Sequence, residues 1–256
     1  MNALSPIGLL DSGAGGISVL REAVRLMPHE RYLFYGDQKN APYGTKSREE
    51  VLALVRCAVQ HLLKSDIKAL VIACNTATAR AAKELREELT IPVIGMEPAL
   101  KPASALYHGG RILVLATPGT LASEKYSLLS SRWGQHAVSV PCPGLMEFVE
   151  RGNFEDPALT AYLETLFAPW QSSQIDAIVL GCTHYVFLKD MVRRFFPRTP
   201  VLDGNEGTVR QLQRVLDARS LLCPADQTGS VIIESSGSQE HLAVLEMLFS
   251  RQAPGL

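Results

Sequence analysis

Two cysteines stand where a parallel α/β sheet places groups that do chemistry. The segment ALVIACNTATARA (residues 69–81) is a short apolar run that ends at Cys74 and passes into a helix-forming stretch, and AIVLGCTHYVFL (residues 177–188) repeats this arrangement at Cys182. In open parallel sheets the ligand crevice lies at the carboxyl ends of the strands, so residues between a strand and the next helix face it. Two thiols in such positions can donate and accept protons, provided that one of them is ionised.

Ionisation of such a thiol requires help from its surroundings. A cysteine with a pKa of ~8.5 is only about 3% ionised at pH 7, a deficit of roughly 2 kcal/mol. A helix amino terminus contributes about 0.3 to 1 kcal/mol, and up to ~2 kcal/mol in good geometry, so it narrows the deficit without securely closing it. Asp11, at the end of the first strand pattern, and His184, two residues after Cys182, can hold or relay a proton. Each alone is equally well explained as a helix cap, but beside strand-end thiols both are catalytic candidates.

Other polar residues of these segments suit a small ligand that carries carboxylates. The turn DSGAGG (residues 11–16) precedes a helix and offers Ser12 and backbone N–H groups, which predicts an anion cradle. It is not the dinucleotide fingerprint, because Ser18 stands where the third glycine is needed. The other candidate ligand contacts are Tyr43, Gly44, Asn75, Thr76, Thr117, Thr183 and His184. As isolated dipeptides these are ordinary turn residues, so the prediction depends on their meeting at one site.

The elements that must position these residues alternate along the chain. Short apolar runs predict strands in PIGLL, RYLFYG, KALVIAC, IPVIG, RILVLA, AVSVPC, DAIVLGC, PVLDG and SVIIESS. Amphipathic patterns predict helices in GISVLREAVRLM, SREEVLALVRCAVQHLLK, ATARAAKELREEL, LASEKYSLLSSRW, PALTAYLETLFAPW, VFLKDMVRRFF and GTVRQLQRVLDARSLL. Continuous apolar strands separated by helices form parallel sheets covered on both faces, so the fold class is α/β. Pro and Gly residues before Arg111 and around residues 203–207 predict two changes of lobe.

Composition excludes several classes of protein. With 256 residues and 46% hydrophobic residues, the chain can bury the core of one large domain or two small ones. Twenty-five basic against 26 acidic residues, a net charge of −1, give no support to a nucleic-acid partner. The first residues do not form a signal-peptide pattern, and no apolar run approaches the roughly 18 residues of a membrane helix. A cytoplasmic protein without membrane contact is therefore expected.

The five cysteines predict free thiols rather than a disulfide framework, because the number is odd and the chain needs no covalent staples. Cys57 lies in a helical pattern and is expected to be a buried small hydrophobic residue. Cys142, between two prolines, is interpreted as structural. A zinc site built from Cys74, Cys182 and His184 is conceivable from the ligand types, but the sequence lacks the close CxxC spacing, and no metal is predicted.

Several segments, in order, resemble the motifs of glutamate racemases within the wider aspartate/glutamate racemase family. They are GLLDSGAGGISVLREAVRLMP, YGDQKNAPYGTKS, LVIACNTATA, VIGMEPALKPA, LATPGTLASEKY, LGCTHYVFL and LDGNEGTVR. The resemblance covers nearly the whole chain, from about Ile7 to VIIESSG. The chain departs from the family pattern at Thr78, before Pro42, and in CPGLMEFVERG around residues 144–147. These departures affect the expected shape of the pocket and remove no proposed acid, base or ligand contact.

The resemblance implies a racemase that needs no cofactor, interconverts L- and D-glutamate, and supplies D-glutamate for bacterial peptidoglycan. By motif position, Cys74 and Cys182 resemble the two acid/base residues, which act on D- and L-glutamate respectively, and Asp11 and His184 resemble their assistants. The implied substrate contacts are Asp11, Ser12, Tyr43, Gly44, Asn75, Thr76, Thr117, Thr183 and His184. The family pattern also implies two α/β lobes facing across the catalytic cleft, residues 1–97 with 205–256 and residues 98–204, and a homodimer. It leaves open activation by a cell-wall precursor and a second role such as gyrase binding.

The chemistry explains why two thiols are needed. Racemisation removes the α-proton from one face of the substrate and returns a proton to the other, and two opposed groups can do this without moving around the substrate. No strand-end lysine suggests a Schiff base, so pyridoxal phosphate is not predicted. Two alternatives stay open from the residues: an aspartate racemase or related cysteine isomerase of the same fold, and a non-enzymatic module that binds small anions.

Overall fold

The computed structural model describes residues 2–251. The predicted first lobe also includes residue 1 and residues 252–256, which lie outside the described residues. The strands are β1 (Ile7–Asp11), β2 (Arg31–Gly36), β3 (Ala69–Ile72), β4 (Val93–Gly95), β5 (Arg111–Ala116), β6 (Ala137–Pro141), β7 (Ile175–Leu180), β8 (Val201–Asp203) and β9 (Ser230–Ser235). Each corresponds to one of the predicted strand segments.

The α-helices alternate with these strands. They are α1 (Ile17–Leu26), α2 (Arg48–Leu63), α3 (Asn75–Glu88), α4 (Leu100–Ser104), α5 (Pro118–Leu121), α6 (Glu124–Trp133), α7 (Leu145–Glu150), α8 (Pro157–Phe167), α9 (Lys189–Phe195), α10 (Asn205–Ala218) and α11 (Gln239–Ser250). Short 3-10 helices occupy Gln38–Asn40, Tyr43–Thr45, Ala168–Trp170 and Thr183–Leu188. Of the α-helices, α4, α5, α7 and α11 were not predicted; α4, α5 and α7 are too short to show a clear helical period.

The strands form two parallel sheets, as the α/β prediction requires. The first has the order β4-β3-β1-β2-β9 and the second the order β6-β5-β7-β8, and all of their pairings are parallel. Strands β1 and β3 are buried along their whole length, because helices cover both faces of a parallel sheet. The fold class is therefore confirmed: two sheets flanked by helices form the two lobes.

The two sheets draw on different parts of the chain. The first contains strands between residues 7 and 95 and then β9, which returns to pair with β2, while the second contains the strands between residues 111 and 203. Helix α10 packs against α1 of the first lobe. The exact division at residues 97/98 and 204/205 stays a prediction.

Strand register brings the predicted strand-end residues together. In the first sheet Leu10 lies opposite Ile72, so the segments after β1 and β3 emerge side by side. In the second sheet Leu115 lies opposite Leu180, so the segments after β5 and β7 do the same. Local capping fixes where the helices begin; α2, for example, starts with a capping box between Ser47 and Glu50.

The thiol of Cys57 does not occupy the predicted environment. Cys57 is exposed, because Val55, Ala58, Val59 and Leu62 form the buried stripe of α2. The prediction of a buried residue was therefore wrong.

Within residues 2–251, no helix has the length and apolar character that crossing a membrane would require.

Candidate active site

A cavity of about 290 Å³ lies where the carboxyl ends of the two sheets meet. It is lined by Ser12, Tyr43, Gly44, Cys74, Asn75, Thr76, Thr117, Thr120, Met146, Cys182, Thr183 and His184. Apart from Asp11, every residue predicted to take part in catalysis or substrate binding lines it. Asp11 lies just behind the wall and is fully buried.

Cys74 caps the amino terminus of α3. Its sulfur accepts a hydrogen bond from the Ala77 N–H at 3.4 Å and lies 3.4 Å from Ser12 Oγ. Burial, with the neighbouring charge of Asp11, raises the pKa of the Cys74 thiol to about 12. Loss of water therefore outweighs the stabilisation that the helix terminus gives to a thiolate. At neutral pH Cys74 holds its proton.

Asp11 connects the Cys74 side of the cavity with the second lobe. Its Oδ1 accepts from the Gly13 N–H at 2.7 Å and from Ser12 Oγ at 3.3 Å, while its Oδ2 accepts from Thr183 Oγ1 at 3.0 Å. Burial raises the pKa of Asp11 to about 6, against the lowering effect of His184. The carboxylate is therefore ionised at neutral pH, and Ser12 links it to the sulfur of Cys74.

Cys182 lies at the start of a 3-10 helix and has a different neighbour. No hydrogen bond caps that helix through the Cys182 side chain, and its sulfur lies 3.7 Å from His184 Nδ1. Burial opposes a charge on His184, but hydrogen bonds to Cys182 and Glu150 raise the pKa of the imidazole well above its usual value. A protonated imidazole beside the sulfur stabilises negative charge there.

Glu150, at the end of α7, completes the surroundings of His184. Its Oε1 lies 2.6 Å from His184 Nε2 and also accepts from the Ala14 N–H at 2.7 Å. Although burial opposes ionisation, hydrogen bonds from His184, Ala14 and Gln38 lower the pKa of the Glu150 carboxyl below its ordinary value. The ionised carboxylate therefore faces the imidazolium and fixes which ring nitrogen points to the thiol.

The glycine-rich turn holds the protein's own carboxylates. The N–H groups of Gly13 and Ala14 donate to the carboxylates of Asp11 and Glu150. The prediction that these N–H groups bind an external anion was therefore wrong, because they bind carboxylates of the protein itself. A side chain at Gly15 would collide with His184 and Thr183, and one at Gly13 would collide with Glu150. The glycines are needed because the backbone of the first lobe approaches these second-lobe side chains closely.

Hydroxyl groups from both lobes meet at another wall of the cavity. Thr76 Oγ1 lies 3.1 Å from Thr120 Oγ1 and 3.4 Å from Thr117 Oγ1. Nearby, the buried Asn75 Oδ1 has no hydrogen-bond partner among residues 2–251. The wall therefore offers hydroxyl donors and one amide acceptor to a ligand.

Tyr43 is held rigidly beside this wall. Its hydroxyl donates to Asp37 Oδ2 at 2.6 Å, and burial together with Asp37 raises the pKa of the phenol above its ordinary value. The ring is therefore neutral and packed.

Across residues 2–251, no group of three or more His, Cys, Asp or Glu side chains has an arrangement that could hold a metal ion.

Known proteins resemble the chain in both sequence and structure. It matches the Asp/Glu/Hydantoin racemase family over residues 8–212. The chain belongs to the Asp/Glu/hydantoin racemase family. It is 48% identical over 235 residues to the glutamate racemase of Clostridium acetobutylicum, covering 91% of this chain and 92% of that one. This confirms the family that the motifs predicted.

Solved structures of relatives share the two-lobe fold. The crystal structure of the glutamate racemase isoform RacE1 from Bacillus anthracis has a TM-score of 0.82 and 33% identity, covering 95% of this chain and 92% of that one. The Escherichia coli glutamate racemase, solved in complex with L-glutamate and an activator, has a TM-score of 0.81 and 28% identity, covering 95% of each chain. This member of the Asp/Glu/hydantoin racemase family thus shares fold and length with glutamate racemases.

Sequence reasoning missed several residues at the site of this family member. They are Asp37, Gln38, Met146 and Glu150. Asp37 follows β2 directly, so the strand-end rule that selected Asp11 would have found it. Glu150 gave no such signal, because it is the last residue of a six-residue helix and lies nine positions after the end of β6.

The arrangement can perform proton transfer on a small molecule enclosed between the lobes. It offers a neutral thiol at Cys74 and a second thiol, Cys182, beside a charged imidazole. Both are largely shielded from water, with 7% and 8% of their surfaces exposed. Such a water-poor pair favours transfer of protons between carbon and sulfur.

Proposed function

We propose that this protein is a glutamate racemase that interconverts L- and D-glutamate by two-cysteine proton transfer and supplies D-glutamate for peptidoglycan synthesis. The observation that carries the proposal is the presence of Cys74 and Cys182, each after a strand of a different sheet, in the wall of one cavity. The 48% identity to a glutamate racemase over most of the chain supports the choice of substrate. The related Escherichia coli enzyme was solved with L-glutamate bound.

Glutamate has two carboxylates and one ammonium group to be recognised. We assign the carboxylates to the hydroxyls and backbone N–H groups of the cavity wall: Ser12, Gly44, Thr76, Thr117, Thr120 and Thr183. The ammonium group is a donor only, so Asn75 Oδ1 suits it, and the ionised carboxylate of Asp11 balances its positive charge from behind the cavity wall. The side chains of Tyr43 and His184 form parts of the wall that borders the substrate. This division matches each charged group of the substrate to the opposite hydrogen-bonding character.

In the direction from L-glutamate, Cys182 acts as the base. As a thiolate beside the His184 imidazolium it takes the α-proton, and the electron pair of the broken C–H bond remains on the α-carbon and its carboxylate. Cys74, whose pKa of about 12 keeps it protonated, gives its proton to the opposite face. D-glutamate forms, leaving Cys74 as thiolate and Cys182 as thiol. Because the two sites share one proton, their titrations belong to the pair.

The reverse reaction starts from Cys74 as the base. Ser12 lies 3.4 Å from the Cys74 sulfur and 3.3 Å from Asp11 Oδ1, so these two residues can carry the proton away from Cys74. Preorganised donors around the substrate carboxylate stabilise the carbanion-like charge in both directions. The protein's own residues supply every proton transfer, and we propose that no cofactor takes part.

Exchange of the α-proton in D₂O tests the proposal. Wild-type protein should incorporate deuterium into L-glutamate and D-glutamate, followed by ¹H NMR, and should racemise both while leaving L-aspartate unchanged. Cys74→Ser and Cys182→Ser should each abolish racemisation with an unchanged circular dichroism spectrum. Faster exchange with L-aspartate would assign the protein to aspartate racemisation instead, and no exchange with any of these amino acids would refute the function.

We further propose a cytoplasmic homodimer. Two catalytic cysteines that must remain free thiols suit a reducing compartment. The family resemblance is the support for dimerisation. Light scattering coupled to size-exclusion chromatography should give twice the 27.9 kDa chain mass; a mass of one chain at micromolar concentration would contradict the dimer.

A further inference from the structure

A line of hydrogen bonds runs from His184 to the edge strand of the first sheet. Beyond His184, Glu150 Oε2 accepts from Gln38 Nε2 at 3.0 Å, and Gln38 Oε1 accepts from Ser235 Oγ at 2.8 Å. Ser235 Oγ in turn accepts from the Gly237 N–H at 3.0 Å. The line therefore crosses from the second lobe, which carries His184 and Glu150, into the first.

The chemistry of the groups fixes the direction of every bond in this line. An ionised carboxylate can only accept, so the amide nitrogen of Gln38 must face Glu150 and its oxygen must face Ser235. Ser235 must then donate to that oxygen, and its lone pairs are free to accept from Gly237. Gln38 is 5% exposed, so water does not compete for its amide. All the members are mutually satisfied in one arrangement.

From this arrangement, which concerns the racemase proposed above, we infer that Gln38 and Ser235 are positioning residues for the Cys182 half of the site. They act through Glu150, which orients the imidazole of His184 toward the sulfur. Neither residue lines the cavity, so neither is expected to touch the substrate. Ser235 lies beyond residue 212, where the family match ends. The carboxyl-terminal strand β9 thereby contributes to the catalytic machinery.

The Glu150 carboxylate needs the hydrogen bond from Gln38 because the helix that carries Glu150 is short. Helix α7 has six residues and follows Gly144, whose φ of 78° is left-handed. One carboxylate oxygen is fixed by Ala14 and His184, but the other is fixed by Gln38. Removing the amide leaves that oxygen without its donor, so the carboxylate turns away from the orientation that supports the imidazolium. The charge beside Cys182 is then less well stabilised.

Alkylation of Cys182 tests this inference without using racemase activity. The rate of reaction with iodoacetamide is measured against pH by mass spectrometry in the full chain carrying Cys74→Ser. Gln38→Leu, which keeps the size and removes the amide, should raise the pH midpoint of Cys182 alkylation by about one unit. Ser235→Ala should raise it by a smaller amount. The double variant should match Gln38→Leu alone, because Ser235 acts through Gln38.

Ser236→Ala is the matched control. Ser236 is the next residue and its Oγ accepts from the Lys39 N–H at 3.1 Å, outside the line. It should leave the midpoint unchanged. An unchanged or lowered midpoint in Gln38→Leu, or an equal shift in Ser236→Ala, would overturn the inference. If Gln38→Leu does not fold by circular dichroism, Ser235→Ala alone decides, since a midpoint no different from that of Ser236→Ala overturns the inference.

Steady-state kinetics give a second readout. Gln38→Leu should lower kcat about tenfold and leave the KM for glutamate within about twofold, because the residue orients the acid/base pair and does not bind substrate. A raised KM with unchanged kcat would place Gln38 in substrate binding and contradict the positioning role. If the protein racemises a different amino acid, the alkylation midpoints still decide the inference, so its failure is distinguishable from failure of the proposed function.

Discussion

The two thiols of the cavity follow equivalent strands but have different neighbours. Cys74 caps the 14-residue helix α3 and has Ser12 and the carboxylate of Asp11 beside it. Cys182 begins a six-residue 3-10 helix and has the charged imidazole of His184 beside it. A negative neighbour keeps the first thiol protonated, while a positive neighbour favours negative charge on the second. The repeated fold therefore supplies two thiols to one cavity, and their different neighbours give them different electrostatic surroundings.

The supporting groups of both halves cross between the lobes. Asp11 of the first lobe accepts from Thr183 of the second, and Glu150 of the second accepts from Ala14 and Gln38 of the first. Opening the lobes would separate each pair of partners. The difference between the two thiols thus depends on the closed arrangement, because charges act strongly on one another only at short distance away from water.

Replacing either thiol gives the largest expected effect. Cys74→Ser and Cys182→Ser should each reduce racemisation on the order of 10³-fold or more, because one face of the substrate loses its acid/base group. Exchange of the α-proton into D₂O should persist for L-glutamate in Cys74→Ser and for D-glutamate in Cys182→Ser. The second rate should be slower, since the pKa of Cys74 is about 12 and its thiolate is scarce. Equal rates, measured by ¹H NMR, would contradict the inferred difference between the two thiols.

Asp11→Asn tests the Cys74 half. In the wild type, kcat/KM should fall as pH drops below about 6, because Asp11, with its raised pKa, gains a proton and no longer accepts from Ser12 as a carboxylate. The variant should lose on the order of 10²-fold at pH 8 and should no longer show that acid limb. Rate profiles between pH 5 and 9 check this. An acid limb that persists at the same pH in Asp11→Asn assigns it to another group.

Glu150→Gln tests the Cys182 half with an isosteric change. Removing the charge should lower kcat on the order of tenfold, because the imidazolium of His184 loses a charged hydrogen-bond partner. The pH dependence of Cys74 alkylation, followed by mass spectrometry, should stay unchanged. If Cys74 alkylation shifts as much as that of Cys182, the two halves are coupled more strongly than their separate neighbours indicate.

Cys142→Ala should have the smallest effect. It tests whether a third buried thiol near the site takes part in the reaction beside Cys74 and Cys182. Cys142 is buried beside the site, and burial raises the pKa of its thiol to about 12, so it stays neutral. Because its sulfur is neutral and donates to the Val140 carbonyl rather than to a residue of the cavity wall, the loss should be about 1 kcal/mol of unfolding free energy, with kcat changed less than about threefold. Urea denaturation and steady-state assays measure both. A large loss of kcat would add a third thiol to the mechanism.

Local sequence rules were sufficient to predict the strands, the fold class and the polar residues that follow the strands. They did so because an apolar run bounded by turn residues fixes a parallel strand, and the carboxyl ends of such strands share one edge of the sheet. Asp11, Cys74, Thr117 and Cys182 lie at those ends for this reason. The family motifs then indicated the reaction.

Other parts of the site carried weak local signals or none. Ser235 ends β9 and Asp37 follows β2, but nothing in either segment indicates that one faces Gln38 and the other Tyr43. Glu150 belongs to a helix too short for periodicity. Its pairing with His184 joins residues that are 34 positions apart.

The amino-acid sequence by itself determined which side chains stand at the strand ends, because strand formation and the order of turns are local properties. Only the tertiary structure decided which of those side chains touch across the two lobes and which charged group lies beside each thiol. Burial and the distance between charges set the electrostatic surroundings of the two thiols, and both arise when the two sheets close on one cavity. No local pattern of residues specifies that closure.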